Sequence, residues 1–502
     1  MSLRDQVFHE ILMARQRVYA VGKPTPLELL HLPVIEAEVY VKREDLSPVH
    51  SYKWRGAYNK MAQLPPEARA RGVVAASAGN HAQGVALAAR KLGIPARIYM
   101  PVSAPRMKQN AVKRHGQNMV EVILHGDSYS YAYARAQQDV QESHSAYIHA
   151  YDDLGTMGGQ GTLADEVVMS GHGPFDIAYL QIGGGGMASA VSTWLKSYFP
   201  AIKIVGVQGV GQASMLEAFK RGKPAEIDYV DVFCDGTAVK KTGELTYPLC
   251  RELLDELITV TNEEVCAAIQ LMWEATRSIP EPSGAMGLAG LMKQQEQVKG
   301  RRVLTVLSGS NLDFGQLAWI SAHAGIGGGR RRYMRFEIPE RAGGMLDLLD
   351  NALDGINIIE FQYGKVHETK AWPVIGFEAS PLEFELLTQK LAEFGVNYED
   401  VTSEADVEFR IIHYEPALFR HPYFITLEFP ERPGALHDFL AMLRGRANIC
   451  YFNYTYTGEL VGRALLGFEF ISEDARDAFK QLLRESIHHW KEIPAGALRR
   501  VL

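Results

Sequence analysis

Four short stretches of this 502-residue chain carry residue types that do chemistry. Lys53 stands in Ser51-Tyr52-Lys53-Trp54-Arg55-Gly56-Ala57. An amine attacks a carbonyl only when neutral, and a crowded, partly buried lysine has its pKa pushed down. Tyr52 and Trp54 are expected to supply apolar surroundings, and the charge on Arg55 to repel a proton from Lys53. A lysine taken alone is usually an exposed helix residue; its neighbours favour chemistry here. Ser77-Ala78-Gly79-Asn80-His81 joins a β-branched run to a helical pattern. Its amides would point at a carboxylate, and Asn80 would donate to an oxygen on a bound ring. A helix cap made by Ser77 or Asn80 is the plain alternative, and both readings can hold together. Gly183-Gly184-Gly185-Gly186-Met187 also sits between a strand-like run and a helix. Its backbone would wrap an anion at a helix N-terminus, although glycine runs also make ordinary turns. It matches neither the dinucleotide fingerprint nor a P-loop. Ser308, after Val303 to Leu307, would hydrogen-bond a ring nitrogen without protonating it, or simply satisfy a turn. An unprotonated ring is a weak electron sink and favours loss of a β-substituent. The set suits an aldehyde cofactor that bears a phosphate.

The elements around these residues read as an α/β layer fold. Val39 to Val41, Gly72 to Ala75, Ala96 to Tyr99, Ile177 to Leu180, Lys203 to Val207 and Val303 to Leu307 read as strands. Ala82 to Leu92, Ser103 to His115, Asp127 to Glu142 and Met187 to Ser197 read as helices between them. Such alternation argues for a mainly parallel sheet, with ligands at the C-terminal ends of its strands. The length calls for two or three domains. Hydrophobic residues at 47% and charged residues at 22% are ordinary for a globular chain, and a net charge of −7 disfavours nucleic acid and anionic membrane as partners. No run is long enough to span a bilayer. Cys234, Cys250, Cys266 and Cys450 form no ligand pattern, so no metal is expected, and a reducing cytoplasm fits.

After Ala324, Gly325, Gly327, Gly328 and Gly329 precede Arg330-Arg331-Arg332, which reads as a solvated hinge. Beyond it the chain repeats. Phe336 to Gly343 (FEIPERAG) returns as Leu427 to Gly434 (LEFPERPG), and Ile375 to Glu378 as Leu466 to Glu469, always 91 positions on. Asn357 and Tyr363 likewise return as Asn448 and Tyr454. One constant offset marks a duplicated module. Each copy reads strand, Pro/Gly turn, helix, two strands, helix. A plain packing or dimerisation role is the alternative.

Together these motifs resemble the fold-type II pyridoxal-phosphate enzymes, specifically the biosynthetic threonine dehydratases. Ser51 to Ala57 is similar to that family's Schiff-base motif. Ser77 to Gly84, Gly159-Gln160-Gly161-Thr162, the tetraglycine and Glu281-Pro282-Ser283-Gly284-Ala285 match in order and spacing. The resemblance implies a two-subdomain α/β catalytic domain over residues 1–324 and ACT-like regulatory modules over 332–406 and 422–494. It implies pyridoxal 5'-phosphate as cofactor, with Lys53 as its covalent lysine and Asn80 on its phenolic oxygen. Gly183, Gly184, Gly185, Gly186 and Met187 would hold its phosphate, and Ser308 its ring nitrogen. The amides of Ser77, Gly79, Asn80 and His81 would hold the substrate carboxylate. The implied reaction converts L-threonine to 2-oxobutanoate and ammonia, the first step towards isoleucine. Lys53 takes the Cα proton and the β-hydroxyl leaves as water. Isoleucine and an opposing valine are the implied effectors, and a homotetramer the implied assembly. Ser310, Gln181 and Tyr151 depart from the family's common residues. The rivals are a serine dehydratase or racemase on the same fold and a non-catalytic amino-acid sensor.

Overall fold

The β-branched runs between residues 27 and 307 form ten strands: β1 (Leu27–Leu30), β2 (Glu38–Arg43), β3 (Val73–Ala76), β4 (Ala96–Met100), β5 (Val120–Leu124), β6 (Ala146–Tyr147), β7 (Ile177–Gln181), β8 (Lys203–Gly209), β9 (Glu256–Val260) and β10 (Arg302–Leu307). The computed structural model describes all residues except 354, 431–434, 443–444, 456–460, 486–488 and 494–502. Its contacts divide the chain into Met1–Gly327 and Gly328–Leu502.

In the first unit, one sheet runs β1-β2-β10-β7-β8-β9 and a smaller one β5-β4-β3-β6. Every pairing is parallel except β1 with β2. Strands β3 and β7 are buried along their whole length, which is why they read as unbroken apolar runs. The helices are α1 (Leu3–Tyr19), α2 (Lys53–Ala62), α3 (Pro66–Arg71), α4 (Asn80–Leu92), α5 (Arg106–Gly116), α6 (Tyr129–Ser143), α7 (Leu154–Met169), α8 (Gly186–Tyr198), α9 (Ser214–Arg221), α10 (Thr246–Leu253), α11 (Asn262–Thr276), α12 (Pro282–Lys293) and α13 (Gln316–Gly327). Each expected strand lies within a residue or two of an observed one, and the smaller sheet is an insertion between β2 and β7. Helix α1 was not expected. Ser2 and Asp5 close a capping box on it, and Val7, Ile11, Ala14 and Val18 bury one face.

The glycines read as a hinge differ from expectation. Gly325 and Gly327 lie inside α13, where a Cβ on Gly327 would meet the Glu263 carbonyl oxygen of α11 at 1.8 Å. Gly327 serves close helix packing. Arg331 and Arg332 are not linker either: they open a strand, and Arg332 lies over the Phe384 ring at 4.8 Å.

The second unit contains β11 (Arg331–Pro339), α14 (Gly344–Asn351), β12 (Asn357–Gly364), β13 (Lys370–Ala371), β14 (Val374–Glu378), α15 (Pro381–Glu393), β15 (Asn397–Asp400) and α16 (Ala405–Glu408). There follow β16 (Tyr423–Pro430), α17 (Ala435–Met442), β17 (Asn448–Thr455), β18 (Val461–Glu469), α18 (Glu473–Glu485) and β19 (His489–Glu492). Both copies carry the expected elements plus a closing edge strand, β15 on β11 and β19 on β16. The second Pro/Gly turn, Glu431 to Gly434, lies outside the described residues. One nine-stranded sheet runs through both copies, joined where β12 pairs antiparallel with β17. Phe361 pairs with Tyr454 and Tyr363 with Phe452, and the equivalent rings of Phe361 and Phe452 stack at 4.4 Å.

Candidate active site

Lys53 is the first residue of α2 and is pinned beside the C-terminal end of β10. Ser51 forms a β-bridge with Gly309, and the Tyr52 amide donates to the Ser308 carbonyl at 3.2 Å. From the other side α4 presses close, since a Cβ on Gly84 would lie 3.0 Å from the Lys53 carbonyl carbon. The Lys53 Nζ donates to the Ala150 carbonyl at 3.1 Å. Burial lowers its pKa to about 8, against the nearby Glu281 charge, which raises it. The Tyr52 ring centroid is 5.2 Å from Nζ, as expected of an apolar neighbour.

Two expectations about its neighbours are corrected. Trp54 packs elsewhere, in a cluster with Val18, Val49 and Leu87. Arg55 does not repel Lys53, because two buried carboxylates neutralise it. Its guanidinium donates to Glu44 at 2.9 Å and to Glu166 at 2.5 Å, and Lys42 donates to the same Glu166. A buried cation so compensated exerts little field beyond its partners.

Ser77 to Gly79 leave the end of β3 and enter α4. Neither Ser77 nor Asn80 caps the helix: Gly79 is the cap residue, and the Ser77 hydroxyl accepts from the Gly79 amide at 3.2 Å. The α4 amides are thus left without a side-chain cap, and a Cβ on Gly79 would meet nothing within 4 Å. Asn80 is buried and donates through Nδ2 to Glu281 Oε1 at 2.5 Å, while its Oδ1 accepts from Asn311 Nδ2 at 2.7 Å. His81 donates from Nε2 to the Ile148 carbonyl at 2.7 Å, which leaves Nδ1 bare and without a partner. Burial first, then the Lys53 charge, lowers its pKa to about 3, so it is neutral.

The glycine loop leaves β7, the neighbour of β10, and starts α8. Gly185 has φ +92, a left-handed value that disfavours any side chain. A Cβ on Gly184 would lie 2.4 Å from the Tyr151 ring, so the Tyr151 aromatic face backs the loop directly. Thr246 holds the Gly184 carbonyl at 2.6 Å. Gly183 is partly exposed. The Met187 side chain is buried in the core. Ser308 is buried at the end of β10. Of the departures, Gln181 donates to the Val306 carbonyl at 2.9 Å, and the Tyr151 hydroxyl to the Lys241 carbonyl at 3.0 Å. The Ser310 amide donates to the His50 carbonyl at 3.0 Å.

Glu281 is the residue that sequence reasoning missed. It was part of a matched motif with no role attached. It precedes α12 in the cap position yet makes no side-chain cap bond, and its carboxyl turns to Asn80 and to the Asn311 amide at 3.1 Å. Burial raises its pKa to about 7. Only the spatial meeting of three loops reveals it.

A second feature lies in the other unit. A cleft with about 450 Å³ of empty space, part of it open solvent, is lined by Pro339, Glu340 and Gly343 of the first Pro/Gly turn and by Tyr363, Asn448 and Ile449. Asn448 donates to Glu340 at 2.7 Å and to Glu469 at 2.8 Å, and Lys365 pairs with Glu469 at 2.5 Å. Asn357, the equivalent of Asn448, is not among its lining residues.

Residues 18–309 match the family model of pyridoxal-phosphate dependent enzymes, and 322–411 with 420–497 that of the C-terminal regulatory domain of threonine dehydratase. The chain is 37% identical to the L-threonine dehydratase biosynthetic IlvA of Burkholderia multivorans, over 93% of this chain and 97% of that one. It is 35% identical to the Escherichia coli protein of the same description, over 91% and 89%. Threonine deaminase isoform 2 of Solanum lycopersicum superposes with a TM-score of 0.61 at 36% identity, over 64% of this chain and 94% of that one. The relatives include a mitochondrial form in Schizosaccharomyces pombe and a chloroplastic one in Arabidopsis thaliana. Among the described residues no helix is long and apolar enough to cross a membrane.

The residues present fit the cofactor of that family. The features that fit are an amine of lowered pKa, a left-handed glycine turn closed behind by Tyr151, an uncapped helix start and the partnerless Gln160 Oε1 beside Gly186. The chain belongs to the pyridoxal-phosphate-dependent enzymes, in the biosynthetic threonine dehydratase family, with that family's C-terminal regulatory domain.

Proposed function

We propose that this chain converts L-threonine to 2-oxobutanoate and ammonia, with Lys53 as the residue that takes the Cα proton. The observation that carries the reading is a buried amine of pKa about 8, pinned beside the turn after β10, packed against α4 and donating to the Ala150 carbonyl. Near neutral pH part of its population is uncharged, as a general base requires. Bound pyridoxal phosphate supplies an aldehyde that fastens an amino acid by its amine and a ring that draws electrons from Cα. Gly183 to Met187 hold its phosphate, Asn80 its phenolic oxygen and Ser308 its ring nitrogen. Ala150 and Tyr52 orient Lys53, and a neutral His81 keeps a second cation away from it. The start of α4, which no side chain caps, holds the substrate carboxylate through the amides of Asn80 and His81; of the other two expected amides, Ser77 already donates to the Tyr99 carbonyl at 3.1 Å and Gly79 to the Ser77 hydroxyl at 3.2 Å. A serine-directed lyase or racemase is the second reading, favoured by 29% identity to maize serine racemase over 63% of this chain. The regulatory domain match favours threonine.

Borohydride reduction of the loaded protein, followed by peptide mass, tests the site: the cofactor mass belongs on the residue-53 peptide. Keto acid formed from threonine and from serine tests the substrate. Lys53→Ala should fold and turn over nothing; cofactor mass on another lysine would sink the assignment.

We also propose a catalytic domain over 1–324 with modules at 332–406 and 422–494, isoleucine as inhibitor and valine as its antagonist. The cleft between the first Pro/Gly turn and Asn448 supports an effector site. A homotetramer rests on the family resemblance, and a cytoplasmic location on four free, buried cysteines.

A further inference from the structure

Glu281 holds a position that the reaction as described leaves unused. Both carboxyl oxygens are taken, Oε1 by Asn80 Nδ2 at 2.5 Å and Oε2 by the Asn311 amide at 3.1 Å. The Glu281 amide donates in turn to the Gly309 carbonyl at 3.1 Å, which ties it to the turn that pins Lys53. Asn311 Nδ2 donates to the Asn80 oxygen and to the Val49 carbonyl. These bonds leave Asn80 one orientation. Flipped, its oxygen would face Glu281 and its NH2 the NH2 of Asn311. One Asn80 N–H remains unassigned, on the group that faces the cofactor.

The charge around Glu281 is as restricted as its hydrogen bonding. A buried carboxylate is normally paired with a cation, yet every hydrogen-bond donor to this one is neutral. The titratable groups facing it are Tyr52 and Lys53 at the start of α2, Lys108 of α5, and Cys234 and Asp235 near the turn 235–237. Lys108 pairs with Asp235, and its charge lowers the Glu281 pKa against the larger Asp235 contribution, which raises it. Lys53 in turn faces Glu281, His81 and His149, both histidines having lowered pKa values. Glu281 is thus the one acidic group that faces Lys53 among the described residues, and Lys53 hydrogen-bonds only a carbonyl.

We propose that Glu281 is a positioning residue with two tasks: it locks the Asn80 amide so that one N–H faces the cofactor, and it is the counter-charge that Lys53 meets whenever it holds a proton. The proposal deepens the functional reading and rests on Lys53 being the amine of the site. When Lys53 takes a proton from Cα, the buried ammonium forms within the field of a carboxyl already oriented by Asn80 and Asn311. No proton transfer to Glu281 is required.

The test uses the full-length chain as Glu281→Gln, Glu281→Asp and Asn80→Ala. Cofactor-free protein is acetylated with limiting acetic anhydride across pH, and the residue-53 peptide is quantified by mass. Glu281→Gln should move the midpoint for Lys53 acetylation down by roughly one pH unit, whereas Glu281→Asp, which keeps the charge, should leave it near the parent. A structural role alone would not move it. Pyridoxal phosphate affinity, read by absorbance titration, should fall about tenfold in Glu281→Gln and in Asn80→Ala, and no further in the double variant. An unmoved midpoint in Glu281→Gln, or affinity losses that add, overturns the proposal. If Glu281→Gln does not fold, Asn80→Ala decides: losing its hydrogen bond raises the Glu281 pKa further, so the Lys53 midpoint should fall, and a midpoint left in place overturns the counter-charge. Normal cofactor trapping with an unmoved midpoint sinks only this inference, whereas absent trapping at Lys53 sinks the functional reading.

Discussion

His81 makes the active site sensitive to acid. Its pKa is lowered from 6.5 to about 3, so its stabilisation is complete above 6.5 and is lost as pH falls towards 3. At a pH of about 5 holding it neutral costs about 2 kcal/mol. Urea unfolding at about pH 8 and about pH 5 should therefore show the parent losing roughly that much more stability than His81→Asn; equal losses would contradict it. Two glycines divide along the same geometry. Gly184→Ala puts a Cβ 2.4 Å from the Tyr151 ring and should weaken pyridoxal phosphate binding about tenfold or more in an absorbance titration. Gly79→Ala meets open space, so the fold and cofactor affinity should survive while the threonine KM rises. Lys53, the polar turn and the tetraglycine stand out in the sequence as candidates because each is a local signal, the two turns at strand ends and Lys53 at a helix start. Glu281 does not, because its neighbours Asn80 and Asn311 come from distant loops. The expected repulsion by Arg55 was misread for the same reason, since Glu44 and Glu166, which neutralise it, are invisible from its flanks.

At the scale of elements, Arg55 is a joint. It ties α2 to Glu44 after β2 and to Glu166 of α7, with Lys42 of β2 closing the set. Arg55→Met should cost about 3–5 kcal/mol, because two buried carboxylates lose a bidentate partner. Chemical denaturation checks this, and a loss below about 1 kcal/mol would show that the network is not buried as described. Replacing the whole set by apolar residues is a different experiment and need not destabilise. Strands buried on both faces, such as β7, were readable as apolar runs. Strand β5 is largely half-exposed and α1 carries many charged positions, so neither gave a clean period. Gly327 of α13 looks like part of a hinge in sequence, since only its approach to Glu263 shows that it packs.

The whole chain joins a catalytic unit to a regulatory one, and the effector reading is tested at that scale. A chain ending at Gly327 keeps α13 on α11 and should turn over threonine at near the parental rate without inhibition by isoleucine. Initial rates with and without isoleucine decide, and a truncated enzyme that is still inhibited would remove the regulatory assignment. The duplication was legible because a constant 91-residue spacing needs no structure to see. The continuous sheet was not, because β12 and β17 belong to different copies and their pairing leaves no local mark. That seam reaches back before the duplication. A chain with a single copy would leave bare the edge of β12 that now pairs with β17 from Glu360 to Gly364, and such an edge seeks a partner. Its natural mate is the same edge on a twin chain, set antiparallel about a two-fold axis. The present protein carries, within one polypeptide, what a half-length forebear would have had to find by self-association.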